Sequence, residues 1–132
     1  MRKMLIFLCV GVSIFRLNAQ VSNPVDTIEY ARSKAYEKNF AEADRLLTVY
    51  SLTHSDINAL RLHAQVLYWM KNFNRSAEVF EKTLAVFPDV QVVKLDYGRM
   101  LFETGKLSHS QVLLEDYKLH DPGNAEVNIL LA

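Results

Sequence analysis

The sequence predicts an all-α fold: a helix–turn–helix solenoid of about three repeats plus a truncated fourth. Three observations carry that expectation. From Ser22 onward the apolar residues recur with a helical period, and little of the alternation that marks strands is present. Anchor residues recur every 33 or 34 positions: Phe40, Phe73 and Leu107 each open the second helix of a pair, Phe80 and Leu114 lie 34 apart, and Pro88 and Pro122 do the same. Cap and turn residues fall between the apolar stripes. At 132 residues, 50% apolar and 23% charged, the chain has an ordinary globular composition, which excludes a disordered or collagen-like polymer and suits one small domain.

The first element is an address. Met1–Lys3 is a short basic region, Met4–Phe15 is an apolar run, and Arg16-Leu17-Asn18-Ala19 leads into Gln20. This is the layout of a secretory signal peptide over residues 1–19, cut between Ala19 and Gln20, with residues 20–23 as a short linker. Leu17 departs from the preference for a small residue three places before the cut. The apolar run would span about 18 Å as a helix, short of a hydrocarbon core of ~30 Å, so a permanent membrane span is not expected. Cys9, the sole cysteine, follows Phe7-Leu8 and does not sit in a lipid-attachment motif. The remainder therefore has no disulfide and no thiolate chemistry. Removing Arg2, Lys3 and Arg16 from the 15 basic residues leaves 12 against 15 acidic ones, a net charge of −3. Such a body offers no electrostatic footprint for nucleic acid.

Six helical segments follow, at about 24–38, 40–53, 56–71, 73–87, 90–104 and 107–120, and a seventh begins near 124. Asn23-Pro24 reads as a cap with proline at the first helical position. Phe40, Ala43, Leu47 and Tyr50 form one apolar stripe, and Ile57, Leu60, Ala64 and Leu67 another. The clearest is Phe73, Ala77, Phe80, Leu84 and Phe87, spaced 4, 3, 4, 3. Ser55 or Asp56, Asp89 and Asn124 are the expected caps of later helices. Asn72 and Gly105 stand where the chain leaves a helix, and both types tolerate the left-handed conformation. The units run over about 24–55, 56–89 and 90–123, with a partial one at 124–132. Phe40, Phe73, Phe80, Leu84, Leu107 and Leu114 are the expected carriers of stability, at about 1.5–3 kcal/mol per buried side chain. Val127–Ala132 reads as half a helix without a partner, from which a longer protein or an interrupted reading frame is expected.

The period and its anchors resemble the tetratricopeptide repeat (TPR) family over residues 24–132. Gly98 matches the small-residue position of a first helix, Gly105 the inner turn and Pro122 the closing proline. Ala64, Asn72-Phe73, Phe80, Leu84 and Pro88 match in the second unit. Ser76 and Ser110 replace the usual alanine that Ala43 keeps, Ser55 stands where proline is usual, and the first-helix aromatic is displaced to Tyr36 and Trp69. The resemblance implies a groove lined by successive first helices. The matching positions are Arg32 in the first unit, Asn58, Arg61, Gln65 and Tyr68 in the second, and Asp96, Arg99 and Phe102 in the third. Arginine and tyrosine there suit a protein or peptide partner with some acidic character. Ile28, Arg32 and Gln65 stand where the family's carboxylate clamp needs lysine and asparagines, so that form of C-terminal capture is not implied. Trp69 closes the inner turn as core or stacks on a ligand.

Chemistry is hard to build from the rest. His54, His63, His109 and His120 do not pair at helical metal-site spacing and read as solvated imidazoles. The adjacent Ser108, His109 and Ser110 do not set a nucleophile against its base. Gly98, Gly105 and Gly123 make no phosphate loop. Glu78 and Lys82 are placed to pair at i, i+4. Asn74-Arg75-Ser76 fits the glycosylation pattern but opens a helix. The expected function is therefore an exported, non-catalytic TPR scaffold of the bacterial periplasm or outer membrane, without cofactor, metal or nucleic acid. An alternative is the docking arm of a larger outer-membrane β-barrel or polysaccharide-export protein, with membrane contact only through a domain beyond residue 132. RNA binding by a related repeat family is opposed by the charge and by the secretory segment.

Overall fold

The computed structural model describes residues 23–132, so the signal peptide, Cys9 and most of the linker lie outside the described residues. The described residues form seven helices: α1 (Pro24–Tyr36), α2 (Phe40–Ser51), α3 (Ile57–Trp69), α4 (Phe73–Val86), α5 (Gln91–Glu103), α6 (Leu107–His120) and α7 (Ala125–Leu130). The fold is all-α and repetitive, as the period requires. Each is within two residues of its expected bounds. α1 pairs with α2, α3 with α4 and α5 with α6; α2 also packs on α3, α4 on α5, α1 on α3, and α7 on α6 and α5.

The inner turns explain where the first helices stop. In each, the chain makes one left-handed residue and then one cap residue. Lys38, Lys71 and Gly105 hold φ of 61°, 62° and 78°. The next amide then reaches back five residues, from Asn39 to Lys34 O at 2.8 Å, Asn72 to Leu67 O at 2.9 Å and Lys106 to Leu101 O at 2.8 Å. Asn72 is thus not the left-handed residue. That role falls to Lys71, and Asn72 caps α4 by accepting from the Arg75 amide at 3.4 Å. Asn39 caps α2 in the same way, whereas Lys106 at the third turn supplies no side-chain cap. Asn23, Asp56 and Asn124 are caps as expected. Asp89 is not: α5 starts at Gln91, which makes Val90 the cap position, and no side chain bonds there.

Two apolar clusters form the core. The first joins Ile28, Ala31, Leu47 and Tyr50 to Ala59, Leu62 and Val66; the second joins Ala64 and Phe80 to Val93, Tyr97, Met100 and Leu101. Helix α3 feeds both, because it is sandwiched between the preceding pair and its own partner. Small residues mark the closest approach within each pair. A Cβ on Gly98 would stand 2.7 Å from Leu114 Cδ2. The two serines that depart from the usual alanine are fully buried and donate across this approach, Ser76 Oγ to Ala64 O at 2.8 Å and Ser110 Oγ to Gly98 O at 2.7 Å. The burial of Ser76 also withdraws the hydroxyl of the glycosylation pattern.

Some expected core residues sit differently. Phe80 and Leu114 are buried, while Phe40, Phe73 and Leu84 are half-buried against the clusters. Leu107 is 58% exposed. Its counterpart Phe40 packs on Trp69 of the following first helix, ring centroids 5.7 Å apart, whereas Leu107 lines an open recess with Leu130 and Leu131. The Glu78–Lys82 pair is not among the ion pairs of the described residues; Arg45–Glu42 and Lys34–Glu37 form instead. Among the described residues no helix is long and apolar enough to cross a membrane.

Candidate functional site

Seven of the eight expected groove residues line one continuous groove. On α3, Asn58, Arg61, Gln65 and Tyr68 are spaced 3, 4 and 3, which puts them on one face. On α5, Asp96 and Arg99 face them, and α1 contributes Arg32. The groove has two recesses that share Gln65 and Asp96. One, of about 290 Å³, lies toward α1 and is lined by Arg32, Asn58 and Arg61, with Ala35, Tyr36, Leu62 and Trp69 as its apolar wall. The other, of about 180 Å³, lies toward the α5 C-terminus and is lined by Tyr68, Phe80, Arg99, Met100 and Glu103. Trp69 packs on Phe40 and also lines the first recess, with 38% of its surface exposed.

Phe102 is not brought together with the others. It lies one repeat beyond Tyr68, as Leu114 lies one beyond Phe80, and so belongs to the next recess in the series. That recess, of about 170 Å³, is walled by Phe102, Leu107, Leu114, Leu130 and Leu131, with Ser110 and Gln111 as its polar lining.

The arginines are less free than the sequence suggests. Arg61 Nε donates to Asp96 Oδ2 at 2.7 Å. Arg99 grips Glu126 through Nε at 2.5 Å and Nη2 at 2.8 Å, and Asp96 lies 3.6 Å from its Nη1. The bond to Glu126 holds the Arg99 guanidinium above its usual range and the Glu126 carboxyl below its own. Tyr68 donates its hydroxyl to Glu103, and that bond, with burial, raises the phenol. Among the described residues Arg32 meets only Glu29 on its own helix, Nε to Oε1 at 3.3 Å. Glu103 and Glu126 carry this groove chemistry and were missed from the sequence. The 35-residue steps from Arg61 to Asp96 and from Tyr68 to Glu103 lie within one or two residues of the 33–34-residue period, which is the signal that could have found such partners.

A second polar cluster joins α2, α3 and α4. His63 is 5% exposed, which corrects the expectation of a solvated imidazole. Its Nε2 lies 2.7 Å from Asp44 Oδ1, and Arg75 clasps the same carboxylate through Nη1 at 2.9 Å and Nη2 at 3.1 Å. Thr48 Oγ1 approaches the same ring nitrogen at 3.4 Å. A relay needs the carboxylate on one ring nitrogen and the hydroxyl on the other. Both lie on Nε2 here, so this cluster ties helices together. Among the described residues no group of three His, Cys, Asp or Glu side chains could hold a metal.

No family model and no curated protein matches the chain. Among solved structures it is similar to "MamA RS-1 ArsTM double mutant", a TPR-repeat protein, with a TM-score of 0.74 and 19% identity. The match covers 82% of this chain and 61% of that one, so the present chain spans less than two thirds of the solved chain's length. At that identity the likeness speaks to fold, and it agrees with the 33–34-residue period, the paired helices and the small-residue contacts at Ala64 and Gly98. The chain has a TPR-like fold.

Proposed function

We propose that this protein is an exported scaffold that holds a segment of a protein partner in the groove along α1, α3 and α5 and performs no chemistry itself. The continuous groove carries the reading: side chains from three successive first helices meet along it, in two recesses joined through Gln65 and Asp96. Its walls alternate amide, guanidinium and carboxylate with aromatic and aliphatic surface, the mixture that protein interfaces use for orientation and burial. Since Arg61 and Arg99 are already paired, the groove as a whole is no anion trap, and a partner segment meets a nearly balanced surface. The TPR-like fold supports a role in protein interaction. Export rests on the basic, apolar and Ala19-Gln20 layout of the first residues, and places the scaffold in the periplasm or at the outer membrane.

The test is a blocked decapeptide library screened against the ¹⁵N-labelled chain from Gln20. Binders should shift the amides of Arg61, Gln65 and Tyr68 and leave the outer face of α4, around Glu78 and Lys82, unmoved. Shifts confined to the outer faces of α4 and α6 would overturn the groove reading. Fractionation of host cells, with the intact mass of the native chain, tests export separately: a species that retains Met1 in the cytoplasm would end that part.

A further inference from the structure

We infer that the recess between α1 and α3 takes the side-chain carboxylate of a glutamate or aspartate within an extended protein segment. The inference rests on the groove reading above and adds the chemistry of one residue. It comes from comparing the array with itself. The ninth residue of each first helix corresponds to the second residue of the next: Arg32 with Asn58, Gln65 with Val92, Arg99 with Glu126. At the last of these steps the arginine is satisfied from within, by the two-pronged bond to Glu126 at 2.5 and 2.8 Å. At the first step the arginine is kept and the carboxylate is replaced by a neutral amide.

Three sets of donors therefore line one recess. Arg32 uses only Nε, toward the solvent-facing Glu29, and its two Nη groups have no partner among the described residues. The Asn58 side-chain amide forms no hydrogen bond among the described residues. Arg61 spends Nε on Asp96 and lines the same recess. A guanidinium binds a planar carboxylate through two parallel bonds, and an amide N–H adds a third donor. The apolar wall of Leu62, Trp69 and Tyr36, the last 73% exposed, gives the neighbouring residue of the partner an aromatic or aliphatic seat. Because the recess opens past Gln65 and Asp96 into the next, a bound chain runs on through the groove, which assigns the carboxylate to a side chain and not to a chain end.

The probe is a pair of decapeptide libraries, acetylated and amidated, identical except for glutamate or glutamine at one fixed position beside an aromatic residue. The glutamate library should bind about tenfold tighter or more by fluorescence anisotropy, the size of a hydrogen bond to a charged group. Asn58→Glu installs at the first step the carboxylate that Glu126 supplies at the last, so it should erase that preference. It adds an acid to the first turn of α3, where the helix dipole favours one, so the fold is retained and far-UV circular dichroism verifies it. Arg32→Gln should erase the preference as well. Equal binding of both libraries, with Asn58→Glu without effect, overturns the carboxylate assignment and leaves the groove reading standing. Failure of both libraries to bind overturns both readings. Binding that requires an unblocked C-terminus overturns the side-chain assignment in favour of a chain end.

Discussion

His63 makes the fold sensitive to mild acid, and its surroundings fix the sign. The ring is buried where α2, α3 and α4 meet, and the polar groups that face it are Asp44, Thr48 and Arg75. A carboxylate only accepts, so Nε2 carries the proton of the neutral ring and donates it to Asp44. Burial pulls the imidazole below its ordinary range; Asp44 pushes it back up, and Arg75 adds to the lowering. With the folded value below the unfolded one, the unfolded chain takes up the proton first as pH falls. The contribution is thus fully present above the unfolded value of about 6.5 and is lost as pH drops from there toward the folded value. Across that window stability should decline by up to about 1.4 kcal/mol per pH unit. Urea unfolding followed by circular dichroism from pH 8 to pH 5 reads the slope. His63→Gln should flatten it. Asp44→Asn should extend it to lower pH, because Asp44 favours the imidazolium. Asp44 is itself held below the usual carboxylate range: burial raises it, and the bonds to Arg75 and His63 outweigh that. Its own contribution is present above about pH 4 and is lost below, in a separate window. An NMR titration that places folded His63 at or above 6.5, or a slope that survives His63→Gln, would refute the reasoning.

Three further outcomes follow from the repeat. Lys106 has the backbone angles of Asn39 and Asn72 but no capping side chain, so Lys106→Asn should add about 1 kcal/mol, a rise of roughly 4 °C in Tm by calorimetry. Lys71→Gly should be stabilising by roughly 0.5–1 kcal/mol and Gly105→Ala destabilising by about 1, although nothing lies within 4 Å of the added methyl; equal Tm values for both variants would show that the left-handed turn costs nothing. Gly98→Ala should destabilise by about 1 kcal/mol net, since crowding against buried Leu114 exceeds the gain in helix propensity, and the same change should turn stabilising in a Leu114→Ala background. Additive effects in that double-mutant cycle would mean that the two residues do not touch.

The helices were legible because the signals for them are local. A stripe such as Phe73, Ala77, Phe80, Leu84 and Phe87, with Asn72 before it, carries both the helix and its boundary. Even so, one-residue errors arose where a role can move to a neighbour. The left-handed position fell to Lys71, because the reverse bond from Asn72 to Leu67 O fixes the geometry of that turn whatever the side chain. Leu107 reads as core because it recurs one period beyond Phe40 and Phe73, but what packs on Phe40 is Trp69, 29 positions further on. His63 was misread for the same reason: Asp44 and Arg75, which accompany its burial, come from the helices on either side.

The groove divides along this line too. Helical spacing alone put Asn58, Arg61, Gln65 and Tyr68 on one face, and the repeat carried that face to Arg32, Asp96 and Arg99. It could not say which of those groups remain available, because Arg61 is engaged by a residue 35 positions away and Arg99 by one 27 positions away. Aligning the repeats with one another does separate them. The second residue of successive first helices reads Asn58, Val92, Glu126, so an acid closes the last step, an apolar residue the middle one and a neutral amide the first. The same two helix positions, the ninth of one first helix and the second of the next, meet this difference in charge at each step. A repeat array fixes where a partner lies by what its units share, and what that partner must carry by where one unit departs from the rest.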